Sequence, residues 1–358
     1  MGGRLTAAVV GLHMGRAHLR AMLDHPDVEV VALCDLDDAT RAKAGDEARA
    51  AGAEPVLYGD WAAMLAEARP ELVAIATPNR LHARMTCEAV AAGAKAICCE
   101  KPMAIDLAEA RRMVDTCRAA GVPLVINHQR RVGSDLRWMR QQIADGALGE
   151  VSLVRGTCAG DMLSDGTHLI DSALYLAGDA DWEWVFAGWH RDEDGGNAAT
   201  GGGFDLVGGW RFGHPVEHGL FAVCQVAGGP RIELLTGDLR VPGRPYHDLE
   251  IIGSRGSLWR AGDQLGANLF ARGADGSWVA VPDPTAAGAL PAIPESYRLL
   301  VDIVRAGGDD STHPMGAANA LRGFELLIGA LESGRIGQVV RRPVTQDRYP
   351  LAVALGIV

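Results

Sequence analysis

Short apolar runs alternating with stretches of helical spacing dominate residues 5–126, and this alternation restricts the fold more than any other feature of the chain. The runs occupy 5–10, 28–34, 72–76, 96–99 and 123–126. Around them, residues 16–23, 38–51, 61–68, 82–92 and 106–120 carry apolar side chains at helical intervals. A βαβαβ succession predicts a parallel sheet with right-handed crossovers. Polar residues follow each run, so the strand ends converge on one sheet edge, where open α/β sheets hold ligands.

The first run stops at Gly11-Leu12-His13-Met14-Gly15 and a helix follows. Strand, glycine turn and helix form the context of a dinucleotide site, with the amides of Gly11, His13, Met14 and Gly15 placed to face a pyrophosphate. Compared with Gly-x-Gly-x-x-Gly, the turn is one residue short and has His13 where a second glycine falls. The second run ends at Asp35, 24 residues after Gly11, placed to bind ribose hydroxyls. Asp35, Asp37 and Asp38 would repel a 2'-phosphate, so NAD is favoured over NADP. The run 96–99 ends in Glu100-Lys101-Pro102. An apolar strand that stops at a carboxylate, an amine and a ring unable to donate to a ladder puts Glu100 and Lys101 at the open sheet edge.

Beyond residue 126 the pattern changes. A helix is expected over 136–144 and a strand over 151–157. From 184 to 281, short alternating segments such as 204–212, 217–226, 231–235 and 249–252 are separated by Gly, Pro and Asp. These suit a large, mainly antiparallel open sheet, one face covered and the other left for solvent or a partner subunit. Helices over 296–305 and 315–333 follow. The expected fold class is α/β: a doubly wound parallel Rossmann sheet in a dinucleotide-binding domain, 1–126, and an α+β domain for substrate binding and oligomerisation, 127–358. Within the latter, Gly166-Thr167-His168-Leu169-Ile170-Asp171 puts His168 and Asp171 on one helical face, and His168 can accept a proton near neutral pH. His214-Pro215-Val216-Glu217-His218 fits a zinc-peptidase pattern that requires a helix. Pro215 and the strand-like flanks argue for a hairpin instead, and no metal site is expected. Trp182, Trp184, Trp189, Trp210 and Tyr246 read as core or interface.

Composition narrows the partners. Net charge is -11 with no Lys/Arg-rich run, which argues against nucleic acid and anionic membranes. Seven cysteines in a chain of 358 residues do not form a disulfide framework, and a reducing cytoplasm is expected. No apolar stretch approaches the ~20 residues of a membrane span. Met1-Gly2-Gly3-Arg4-Leu5-Thr6 matches a myristoylation pattern, but the first strand is expected to start at Leu5.

Taken in order, the glycine turn, Asp35, Thr77-Pro78-Asn79-x-x-His82, Glu100-Lys101-Pro102 and Gly166-Thr167-His168-x-x-Asp171 resemble the Gfo/Idh/MocA family, typified by glucose-fructose oxidoreductase and inositol dehydrogenase. The resemblance implies NAD at the sheet edge and an NAD-dependent oxidation of a secondary alcohol on a sugar, cyclitol or related polyol. It implies Lys101 as the lysine bonded to the reacting oxygen and His168 as acid/base. Glu100, Thr77, Pro78, Asn79 and His82 would lie along the cofactor together with Gln129, and Arg130 would face the substrate. Many members carry an aspartate four residues before the histidine. Here that position is Ser164, and Asp165, three before, is the candidate third catalytic and substrate-binding member. Relatives that oxidise and re-reduce a sugar to cleave or epimerise it, and a cofactor-sensing regulator on the same fold, are the rival readings. A homodimer or homotetramer is expected.

Overall fold

The computed structural model describes residues 3–191, 209–239, 246–262, 269–273, 275–282, 284 and 291–357. It divides into two compact units. Unit 1 comprises Met1–Ala104, Ala108–Gln129 and Leu290–Leu321, and unit 2 comprises Ile105–Leu107, Arg130–Ala289 and Arg322–Val358. The chain thus re-enters the first unit late, which a division into 1–126 and 127–358 does not anticipate.

Unit 1 begins with β1 (Leu5–Val10), α1 (Gly15–Leu23), β2 (Val28–Cys34), α2 (Asp38–Ala50), β3 (Val56–Tyr58) and α3 (Trp61–Ala68). It continues through β4 (Leu72–Ile75), α4 (His82–Ala91), β5 (Ala96–Cys99), α5 (Leu107–Ala120) and β6 (Leu124–Ile126). The six strands are parallel in the order β3-β2-β1-β4-β5-β6, the doubly wound Rossmann order. Every residue of β4 and β5 is buried, as continuous apolar runs covered on both faces should be. Side-chain caps start two of the helices: Asp37 accepts from Thr40 N–H and Asp60 from Ala63 N–H. β3 lies between the helical stretches 38–51 and 61–68, where the apolar runs mark no strand. It is a three-residue edge strand with Val56 exposed, too short and too wet to leave an apolar signature.

Unit 2 contains α6 (Ser134–Ala144), β7 (Val151–Cys158), a π turn at Met162–Gly166, α7 (Thr167–Leu176) and β8 (Trp182–His190). There follow β9 (Trp210–Arg211), β10 (His214–Pro215), β11 (Gly219–Val226), β12 (Arg231–Gly237) and β13 (His247–Gly253). Next come β14 (Ser257–Ala261), β15 (Leu269–Arg272), β16 (Trp278–Ala280), α8 (Ala292–Ala306), α9 (Ala317–Ile336), β17 (Val340–Arg341) and α10 (Pro350–Ala354), of which α8 belongs to unit 1. Nine strands form one sheet, β16-β15-β14-β13-β7-β12-β11-β8-β17. Its pairs are antiparallel except β7 with β12. In β11, Leu220, Ala222, Cys224 and Val226 are buried while Phe221 is 39% exposed, so one face is core and the other open. β9 and β10 pair antiparallel, and the His214–His218 segment is extended as expected rather than helical. Of the strand expected over 204–212, the described part is Trp210–Arg211; residues 204–208 lie outside the described residues. No helix among the described residues is long and apolar enough to cross a membrane.

Candidate active site

In unit 1 the strand order reverses between β1 and β4, and this reversal brings the glycine turn against the end of β4. Ala76 N–H donates to Val10 O at 2.8 Å. Gly11 has φ +82°, and a Cβ there would stand 2.4 Å from Ala76 O, so only glycine fits. His13 and Met14 are exposed and, among the described residues, their amides have no acceptor; Gly15 N–H closes the turn onto Gly11 O at 3.0 Å. Asp35, at the end of β2, accepts Leu12 N–H at 2.6 Å. The acid expected to meet ribose therefore also braces the shortened turn.

Three further strand ends converge on the same sheet edge. Beyond β4, Thr77 and Pro78 precede a 3-10 turn at Asn79–Leu81, and Asn79 is buried. His82 is fully buried, its Nδ1 2.8 Å from Pro102 O and its Nε2 2.8 Å from Thr77 O. Burial lowers its pKa despite these two carbonyls. The ring therefore lies between the β4 loop and the turn after Lys101, and in its neutral form it donates to one of the two carbonyls. Lys101 is half-buried, the Lys101–Pro102 bond is cis, and the Lys101 N–H donates to Glu100 Oε2 at 3.2 Å.

Glu100 Oε1 meets His18 Nε2 at 2.8 Å and Asn127 Nδ2 at 2.6 Å. Burial alone would raise the Glu100 pKa, but the bond and charge of His18 and the Asn127 amide hold it at about 2. Burial likewise opposes the charged form of His18, and bonds to Cys98 and Glu100 override it, raising the ring from 6.5 to about 10. After β6, Asn127 Oδ1 and Gln129 Oε1 are buried with no partner among the described residues. Orphaned acceptors are costly unless a donor arrives. Open amides at the glycine turn and orphaned oxygens across the edge suit a phosphate and the hydroxyl or carboxamide donors of a nicotinamide dinucleotide.

In unit 2, Asp161 caps the π turn that contains Asp165, and the Gly166 N–H of that turn reaches back to Asp161 O at 3.0 Å. Arg211, on β9, donates through Nη1 to Asp161 Oδ2 at 2.9 Å and also to Asp165, which in addition accepts the Tyr246 hydroxyl. Ser164 N–H is bound by Asp161 Oδ1 at 2.7 Å. His168 is buried in the first turn of α7. Asp171, expected beside it, places its carboxylate on Arg131 Nε at 2.8 and 2.7 Å, and Arg131 also reaches Asp179 at 2.8 Å. Arg130 immediately precedes this buried arginine. Glu217 accepts Met162 N–H at 2.5 Å, while its Oε2 is buried with no partner among the described residues. Burial, reinforced by Asp161, raises its pKa to about 8.

The sequence reading missed His18, Arg211, Glu217 and the role of Tyr246. His18 is a polar residue on the buried side of α1, which is itself a signal. Arg211 falls in the alternating segment 204–212 and Tyr246 in a turn-rich stretch, and neither pattern tells which carboxylate the side chain meets. Spacing arguments around Asp165 assume 3.6 residues per turn, and the π turn breaks that assumption.

Residues 5–128 match the family described as Gfo/Idh/MocA oxidoreductase, NAD-binding Rossmann fold. The chain is 36% identical over 194 residues to the D-apiose dehydrogenase of Paraburkholderia graminis, a match covering 49% of this chain and 50% of that protein. It is 27% identical over 195 residues to the D-glucoside 3-dehydrogenase of Escherichia coli, covering 49% and 54%. The chain thus spans about half the length of these relatives. A levoglucosan dehydrogenase solved in complex with NADH shares the fold with a TM-score of 0.76, at 21% identity over 95% of this chain and 99% of that one. Through residues 5–128, then, this chain is similar to the Gfo/Idh/MocA oxidoreductases in their NAD-binding Rossmann segment.

Proposed function

We propose that this chain is an NAD-dependent oxidoreductase that moves a hydride between nicotinamide and a secondary alcohol of a sugar, cyclitol or related polyol. The observation that carries the reading is the braced Lys101, an amine at the end of β5 on the edge that also presents the glycine turn. NAD, when bound, supplies the hydride acceptor. Gly11 and Gly15 shape the turn, their own amides being bonded to Cys34 O and Gly11 O, so the His13 and Met14 amides hold the pyrophosphate, Asp35 takes ribose hydroxyls, and Thr77, Pro78, Asn79 and Gln129 line the cofactor's path. Glu100 and His82 fix the backbone around Lys101. The Lys101 amine donates to the reacting oxygen, which stabilises alkoxide character as the hydroxyl proton leaves for His168. Arg130 and Asp165 hold neighbouring hydroxyls. Asp165, already bonded to Arg211 and Tyr246, orients substrate rather than exchanging protons.

Sugar-directed names among the relatives support the substrate class, and Asp35, Asp37 and Asp38 favour NAD over NADP. Seven free cysteines fit a reducing cytoplasm. The test is NADH formation from NAD with a panel of sugars and cyclitols. Steady accumulation supports net oxidation; bond cleavage or epimerisation without it points to an internal redox cycle.

A further inference from the structure

His18 lies on α1 three residues after Gly15 and is 1% exposed. Its Nε2 meets Glu100 Oε1 at 2.8 Å and its Nδ1 meets the Tyr297 hydroxyl of α8 at 2.6 Å, with Cys98 Sγ 3.9 Å from Nδ1. Asn127 donates to the same Glu100 oxygen at 2.6 Å, and the other Glu100 oxygen accepts Lys101 N–H at 3.2 Å. A helix, two strand ends and α8 therefore meet around one buried carboxylate that grips the backbone of Lys101.

A buried carboxylate needs a counter-charge, and Asn127 supplies only a dipole. The other titratable groups facing the pair are His82, Cys98, Cys99 and Tyr297. Burial lowers the basicity of His82 and pushes the Cys99 thiol and the Tyr297 phenol well up, so these stay neutral. Without His18, the cation left to answer Glu100 among the described residues is Lys101 itself.

We propose that His18 is a positioning residue for Lys101: as an imidazolium it fixes the Glu100 carboxylate through Nε2 and shares the neutralisation of its charge, which otherwise falls to the Lys101 ammonium alone. This inference rests on the role given to Lys101 above and deepens it. It also links the turn that holds the cofactor to the lysine, since α1 carries both the end of that turn and the ring.

Two measurements test it. In protein labelled with 15N-histidine, the His18 ring should carry protons on both nitrogens at pH 8; a neutral tautomer at that pH overturns the proposal. Competitive amine labelling of Lys101, read by mass spectrometry across pH, should place its titration midpoint about one pH unit higher in H18N than in the parent. That shift should vanish when E100Q and H18N/E100Q are compared. Equal midpoints in parent and H18N, or the same shift in the E100Q background, overturn the proposal. If H18N does not fold, the NMR result on the parent decides. Labelling reads the amine whether or not it is catalytic, so loss of the catalytic reading, seen as undiminished kcat in K101M, is distinguishable.

Discussion

At the scale of single residues, buried charge decides most of what the two units do. The His18–Glu100 pair has a pH window that follows from its two shifts. Glu100 is depressed from 4.5 to about 2, so its contribution is present above 4.5 and lost as pH falls through about 2. His18 is raised from 6.5 to about 10, so its contribution is full below 6.5 and lost as pH rises through about 10. The difference in Tm between parent and E100Q should therefore be largest between pH 4.5 and 6.5 and shrink toward pH 10. A flat difference across this range contradicts the ion pair. Glu217 has the opposite sign to Glu100, because burial holds its carboxyl protonated up to about pH 8. Folding binds that proton, so the parent loses stability as pH rises from 4.5 through 8, and E217Q should remove this slope in thermal melts. Asp35 bears on cofactor choice. D35N keeps an acceptor for Leu12 N–H but removes the charge, and should narrow the preference in kcat/KM for NAD over NADP by tenfold or more.

At the scale of elements, the glycine turn joins sequence to site most directly. G11A would force a side chain into a left-handed conformation, costing roughly 1–2 kcal/mol, and push its Cβ into the Ala76 carbonyl. NAD binding by calorimetry should weaken at least tenfold, with a lower Tm; unchanged affinity contradicts the role of the turn. The strands and helices of unit 1 were legible because two-sided burial leaves continuous apolar runs and because Asp, Gly and Pro punctuate them. β3 was not, being short and exposed. In unit 2 the alternation of β7, β11, β12 and β13 was legible for the same reason that it is open on one face. Lys101, Asp35 and Asp165 stood out as polar residues ending apolar runs or flanking His168. What Asp165 and Asp171 bond to was not visible, since Arg211, Tyr246 and Arg131 reach them through a π turn and long side chains that carry no periodicity.

At the scale of the molecule, the open face of the nine-stranded sheet and the chemistry of the sheet edge make separate claims. Phe186 and Phe221, each 39% exposed, pair edge-on at 6.2 Å, and Gly188 leaves room for the Phe221 ring. Beside them Arg155 bonds Glu233 at 2.8 Å. An exposed face carrying apolar rings and both charge signs is one that a second copy of itself could cover. Light scattering should report a dimer or tetramer, and F221D should shift it toward monomer with the melt retained; a monomeric parent contradicts this. The central claim concerns Lys101, and one comparison tests it most directly: NADH absorbance with a converted sugar or cyclitol, in the parent and in K101M, alongside NAD binding by calorimetry. The account predicts that K101M binds NAD within a few-fold of the parent while kcat falls by about 10²–10⁴. A K101M protein that turns over at the parent rate would contradict it.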